Sequence, residues 1–388
     1  IVPELATGWT TSPDGRIWTF YLRKRVFWHD GYPFTAEDVK FTFDSILDPK
    51  TNSVRRSDYI IDGVPIRFEV VSLYTFRAIL PKPFAPFLSH MAMGILPKHI
   101  LANTDLNTAA FNRQPIGTGP FKFVSFRPAE KIEVARNDQY FRGVPRVERI
   151  IYRVIPDANA QLVALETGEI DETGIPAKDY RRMLRTAHIN IFEFDSLAYT
   201  YLGLNNRSPI FADRRVRQAL AYATDKDQLV KLLFRGLARP AYTPSAPASW
   251  AYSDDVAKYP YDPAKARHLL ELAGYTAGTD GFYTKDNRPL EFTIMTNQGN
   301  KEREKAAVIL EQQYRKIGVK VKVLILEWSS LLKIINAPED PKKFDALIIG
   351  WSLGVDPDDY SIWHSSQYPA GLNFIGYRNR KADRLLEQ

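Results

Sequence analysis

Apolar and polar residues alternate over Ile17–Leu22, with Trp18, Phe20 and Leu22 on one side, which is the period of a half-buried strand. Asp14-Gly15 just before it predicts a tight turn. The period then changes. Thr35 stands as an N-cap with Asp38 three residues on, opening a helix that runs through Ile46. Phe68–Leu80 returns to a strand pattern, broken by Pro81, Pro83 and Pro86. Gln114–Pro120 is a joint punctuated by Gly and Pro, after which Phe121–Phe126 and Ile132–Ala135 read as a hairpin. Arg149–Ile155 predicts a strand, followed by a helix from about Asp157, its cap, to Thr167, ended by Gly168. Short strands are expected to begin at Ile170-Asp171 and to cover Asn190–Phe194, with an aromatic one over Tyr199–Asn205.

The last third is the most regular. Asp213 caps a helix in which Val216, Leu220 and Ala223 share a face. Asp262-Pro263 supplies an N-cap and a first-turn proline, Leu269, Leu270 and Ala273 form the apolar stripe, and Gly274 closes the helix. Leu290–Met295 is a strand. Glu302–Ile317 is a helix with Ala307, Leu310, Tyr314 and Ile317 facing inward, stopped by Gly318. Val319–Val323 alternates as a strand, Trp328–Ile335 is helical, and Phe344–Ile349 is a buried strand. Such β-α-β-α-β alternation predicts an open, partly parallel sheet with covering helices. The last strand is expected to end abruptly at Gly350-Trp351, with the acidic turn Asp356-Pro357-Asp358-Asp359 beyond it. Delivering an aromatic and then carboxylates to the C-terminal end of a strand is how α/β folds build ligand sites.

With 388 residues the chain exceeds one compact core, so two or more lobes are expected. The net charge of +7 is spread over short clusters such as Arg55-Arg56, Arg181-Arg182 and Arg214-Arg215, each beside acidic residues. That is a solvated surface, and no nucleic acid is expected as a partner. The absence of cysteine removes disulfides, zinc-thiolate sites and thiol nucleophiles. No apolar run has the length of a membrane span. The chain opens at Ile1 with neither methionine nor signal peptide, the look of a processed or trimmed product.

Gly350-Trp351-Ser352-Leu353-Gly354 matches the G-x-S-x-G of a nucleophile elbow. An elbow needs the strand to turn straight into a helix, and here Pro357 would fall inside it. The only downstream histidine, His364, follows too closely for the usual intervening elements. A serine hydrolase using Ser352 therefore stands as an alternative. Asp356, Asp358 and Asp359 are carboxylates that calcium accepts, but the glycine and distal glutamate of an EF-hand loop are absent, and Asp356 or Asp358 is better placed to cap a helix. No two histidines form HExxH or a close pair. Gly117-Thr118-Gly119-Pro120 lacks the lysine and helix of a phosphate loop and reads as a special-φ turn.

Seven stretches, in order, resemble the family 5 extracellular solute-binding proteins, the peptide- and nickel-binding components of bacterial ABC importers. They are Pro3–Asp44, Pro115–Phe123 (PIGTGPFKF), Val134–Ile150, Ile155–Asp171, Tyr201–Val230 (YLGLNNRSPIFADRRVRQALAYATDKDQLV), Tyr261–Tyr275 and Gly350–Ser366 (GWSLGVDPDDYSIWHSS). The resemblance implies a two-lobed α/β fold of the periplasmic-binding-protein type (type II) with an extra β-rich subdomain. Residues 1–118 map to that subdomain, 119–196 to the α/β part of the first lobe, and 197–388 to the second lobe. Family members normally begin earlier and continue further, so a chain truncated at both ends is the expectation.

The resemblance further implies a monomeric, extracytoplasmic protein, periplasmic or lipid-anchored, that captures an oligopeptide between two lobes and hands it to ABC permease subunits. No catalysis, cofactor or metal is implied, although a nickel or metal-chelate binder of the same family is the other alternative. In dipeptide binders of the family an aspartate shortly after the equivalent tryptophan holds the peptide amino terminus; here Leu353 and Gly354 occupy those places, with Asp356 beyond. An arginine that takes the peptide carboxylate aligns near Asn297–Gly299, where no arginine stands. Both departures point to a longer peptide held through its backbone. Trp351, Asn297, Gln298, Ser352, Leu353, Gly354, Asp356 and Tyr201 are the candidate ligand-binding residues.

Overall fold

In the computed structural model, which describes residues 1–53 and 55–387, Thr35 and Asp38 cap the first helix as expected. The Thr35 side chain accepts from the first turn, and Asp38 accepts from the Thr35 N–H at 2.9 Å. The helix, α1 (Ala36–Leu47), buries Val39, Phe43 and Ile46. It lies on an antiparallel sheet of β1 (Ala6–Thr11), β2 (Ile17–Leu22), β3 (Arg67–Ser72) and β4 (Thr75–Ile79), in the order β1-β2-β4-β3. Phe43 stacks on Phe68 at 4.5 Å, and Phe68 on Phe76 at 5.7 Å, so aromatic rings supply much of this core. A second antiparallel sheet, β5 (Phe121–Arg127), β6 (Lys131–Arg136) and β7 (Arg149–Arg153), is the predicted hairpin with one more strand. His29 clips the joint before it. Its Nδ1 accepts from the Gly117 N–H at 3.1 Å, and its Nε2 donates to the Gly119 carbonyl at 3.0 Å.

The chain divides into two compact units, Ile1–Ala164 and Leu165–Gln388, with helix α2 (Ala158–Glu166) carrying it across the division. The second unit is built on β8 (Ala198–Leu204), β9 (Glu291–Asn297), β10 (Lys320–Leu326) and β11 (Ala346–Ser352), in the order β8-β11-β9-β10. β9 runs parallel to both β10 and β11, and β8 runs antiparallel to β11. Strand alternation gives the sheet two apolar faces. Phe292, Ile294, Ala346 and Ile348 pack with Val216 and Leu220 of α3 (Arg214–Ala223), Leu270 of α4 (Pro263–Leu272) and Leu310 and Tyr314 of α5 (Lys301–Arg315). Met295, Leu347 and Ile349 pack on the other face with Leu331 and Ile335 of α6 (Trp328–Ile335). Buried strands with near-continuous apolar sequence follow from covering both faces.

Two expectations are corrected. Neither Ile170-Asp171 nor Asn190–Phe194 forms a strand: Phe192 and Phe194 are each 86% exposed, and among the described residues no strand lies alongside to complete a ladder. The strand expected to stop at Gly350-Trp351 continues through Ser352, because β8 pairs with it to the end: Ala198 opposite Ser352, Tyr199 opposite Trp351.

Candidate ligand-binding site

Two parallel strands that end at one edge bring their C-terminal residues together there, and an antiparallel neighbour brings its N-terminal ones. Asn297 closes β9, Trp351 and Ser352 close β11, and Tyr199 and Tyr201 open β8. Of the sequence-predicted residues, the ladder therefore gathers Tyr201, Trp351 and Ser352 at the edge where β9 delivers Asn297. Gln298 follows, its N–H donating to the Leu326 carbonyl at 2.7 Å. Leu353 is fixed by its N–H on the Leu197 carbonyl, also 2.7 Å. Gly354 and Asp356 lie on the turn beyond, where Asp356 accepts from the Asp358 N–H at 3.1 Å. Asp358 in turn accepts from the Tyr360 N–H at 2.9 Å, at the start of the short helix α7 (Tyr360–Trp363). These are turns two residues long; the residue that opens α7 is Asp359, whose side chain makes no capping bond, so the helix-capping role expected of Asp356 or Asp358 is not formed.

Sequence reasoning missed Arg303. Gly299, at φ +91°, turns the chain after β9, and Asn300 caps α5 by accepting from the Arg303 N–H at 3.0 Å. Side chains in a first helical turn point back towards the helix N-terminus. The Arg303 Nη1 accordingly reaches Asn297 Oδ1 at 2.9 Å. Gly350 leaves room for it, since a methyl there would stand 3.0 Å from Arg303 Nη2 and 2.7 Å from the Tyr199 carbonyl oxygen. The guanidinium is half-buried, Nε finds no hydrogen-bond partner, and no carboxylate pairs with it among the described residues. Burial lowers its pKa, an effect that Tyr201 partly opposes. The signal available in the sequence was an arginine three residues after a helix-capping Asn at a strand end.

The second missed group is Asp359, last of the acidic run. Burial, with Asp358 beside it, pushes its carboxyl up to about 6. Among the described residues no hydrogen-bond donor or cation reaches that carboxylate. Burial raises the pKa of the Tyr199 hydroxyl, and the Asp359 charge adds to that shift. Aromatic rings line the interval: Tyr199 and Tyr201 lie 5.8 Å apart, Trp363 meets Tyr201 edge-on at 5.8 Å, and Trp351 stacks on Phe374 at 5.7 Å. The Tyr201 hydroxyl, pushed up to about 12 by burial, neighbours the Trp351 indole. The Trp351 and Trp363 N–H groups and the Tyr199 hydroxyl are all buried without an aligned hydrogen bond. Trp351 neighbours Tyr201 and Trp363 neighbours Tyr199, so these polar atoms cluster at one sheet edge and are candidates for ligand contact.

Ser352 is exposed and no helix follows it directly. His364 Nδ1 instead meets Ser366 Oγ at 2.7 Å, and its Nε2 lies 3.4 Å from Glu387. A nucleophile elbow is not formed. Among the described residues no group of three or more His, Asp or Glu side chains is arranged to hold a metal ion, and no helix is long and apolar enough to cross a membrane. A cavity of about 390 Å³ lies at the far end of the sheet, lined by Asn205, Thr293, Leu324 and Phe344. It shares no residue with this edge.

The family model for bacterial extracellular solute-binding proteins, family 5 middle region, matches residues 1–371. The oligopeptide-binding protein AppA of Bacillus subtilis is 39% identical, over 94% of this chain and 68% of its own length. The structure of the oligopeptide-binding protein AppA from Bacillus subtilis in complex with a nonapeptide superposes with a TM-score of 0.89 at 38% identity, covering 99% of this chain and 77% of that one. NikZ from Campylobacter jejuni in complex with Ni(L-His) gives 0.89 at 35% identity, with the same coverage.

Proposed function

The chain belongs to the bacterial extracellular solute-binding proteins of family 5, and from that membership we propose that it is the substrate-binding component of an ABC importer, capturing oligopeptides and delivering them to a membrane permease. It has the α/β, two-lobed binding-protein fold of its relatives. It acts outside the cytoplasm as a monomer, periplasmic or lipid-anchored, and makes or breaks no bond. Residues 1–118 serve as the β-rich subdomain, 119–196 as the α/β part of the first lobe, and 197–388 as the second lobe.

The observation that carries the reading is a pair of opposite charges at one sheet edge, Arg303 and Asp359, that no oppositely charged group answers among the described residues. A peptide is complementary to both. Its carboxylate, terminal or side-chain, takes a charge-assisted bond from Arg303, and an ammonium takes one from Asp359. Trp351 and Tyr201 flank the ligand, Asn297 orients the guanidinium, and Gln298, Ser352, Leu353, Gly354 and Asp356 offer polar and backbone contacts. The test is thermal shift and native mass spectrometry with peptide pools. Ligand at a hundredfold over its Kd stabilises the native state by about 2.7 kcal/mol, and indifference to every peptide refutes the proposal. A second reading, a nickel chelate of an amino acid, rests on the likeness to NikZ. It predicts stabilisation by nickel with histidine where peptides give none.

A further inference from the structure

Between Ala241 and Asp262 the chain runs without helix or strand, tied at both ends. Lys226 Nζ donates to the Ala241 carbonyl at 2.9 Å, and the Asp262 N–H donates to the Tyr222 carbonyl at 2.8 Å. Ala246 is buried and pins the middle. Four residues on, Trp250 turns outward and is 77% exposed. Its indole N–H donates to the Val355 carbonyl at 3.2 Å, and Val355 is itself 75% exposed. Val355 sits on the turn between Trp351 and Asp359, so this ring is fastened to the same turn that carries the candidate site. A single exposed aromatic needs no explanation. This one is oriented by its only polar atom while its faces stay open, and it stands beside a second bare apolar side chain.

We propose that Trp250 and Val355 form an apolar clamp that receives a side chain of the bound peptide, which makes Trp250 a specificity-determining residue for bulky, above all aromatic, side chains. The inference rests on the peptide-binding reading of the site. A peptide whose ammonium meets Asp359 places a neighbouring side chain against the turn, where an indole plane offers stacking area at low entropy cost. The N–H tether sets the ring's place and the open faces supply the contact.

Isothermal titration of the full chain with tetra-alanine, and with the four tetrapeptides in which one alanine is replaced by phenylalanine, tests it. The unaltered protein binds at least one phenylalanine peptide about five- to tenfold tighter than tetra-alanine. Trp250→Ala brings that ratio close to one and leaves tetra-alanine affinity and melting temperature unchanged. Trp250→Phe, which keeps a ring but lacks the tether, retains only part of the ratio. An unchanged ratio in Trp250→Ala overturns the clamp, as does an equal fall for all five peptides, which marks a structural strap. If the unaltered protein binds none of the five, the peptide reading fails before any variant is made, and the clamp fails with it.

Discussion

Arg303 holds a positive charge that no carboxylate answers among the described residues, and only a single hydrogen bond to Asn297 steadies it. Removing such a donor from a peptide complex costs about 2–3 kcal/mol, so Arg303→Ala should weaken peptide binding about 30- to 150-fold in calorimetry. Stability of the free protein should hold or rise, since a half-buried unpaired charge is lost. Asp359 behaves the opposite way with pH. Its folded pKa of about 6 stands above the ordinary 3.8, so the native state binds the proton more readily than the unfolded chain. The ionised group therefore opposes folding at pH 7, and that opposition fades as pH falls through 6 towards 3.8. Asp359→Asn should gain about 1–2 kcal/mol of unfolding free energy at pH 7, after allowance for solvent screening, while losing affinity for peptides with a free ammonium. Binding by the unaltered protein should weaken below pH 6, as the carboxylate is protonated. Chemical denaturation and titration at pH 5 and 7.5 check both signs.

Elements were legible where one local signal decided them. The Thr35 and Asp38 box, the Asp262-Pro263 start and the Trp328–Ile335 helix all form where the sequence places them. Illegible features depended on a partner far along the chain. β11 runs on to Ser352 because β8, some 150 residues earlier, supplies its ladder, whereas Phe192 and Phe194 have strand composition and no ladder. Arg303 escaped for a different, local reason: the strand end at Asn297 holds no arginine, and the guanidinium folds back to it from the first turn of the next helix. Gly350 is the element-level condition for that arrival. Gly350→Ala should cost about 1–3 kcal/mol by equilibrium unfolding, because the methyl meets backbone at 2.7 Å. In the first unit the His29 clip needs a neutral imidazole, since Nδ1 must accept from Gly117. Burial, with Lys122 nearby, holds its pKa below 6.5. Its contribution is full above pH 6.5 and is lost as pH falls through the folded pKa. His29→Gln should flatten the acid-side slope of stability against pH.

Across the whole molecule, hydrogen exchange should separate the two units. Peptide at saturating concentration should slow amide exchange at the C-terminal ends of β9 and β11 and the start of β8, where local opening exposes the ligand edge. The sheet of β1 to β4 should respond least if recognition is confined as described. Arg303, Asp359, Tyr199, Tyr201, Trp351 and Trp363 all fall within Leu165–Gln388, as does the Trp250 strap. On the proposed reading, cargo choice falls to the residues of Leu165–Gln388. A chimera that joins this half to the other half of a relative should inherit its menu from the donor of residues 165–388, which lets an organism diversify what it imports while leaving the remaining architecture untouched.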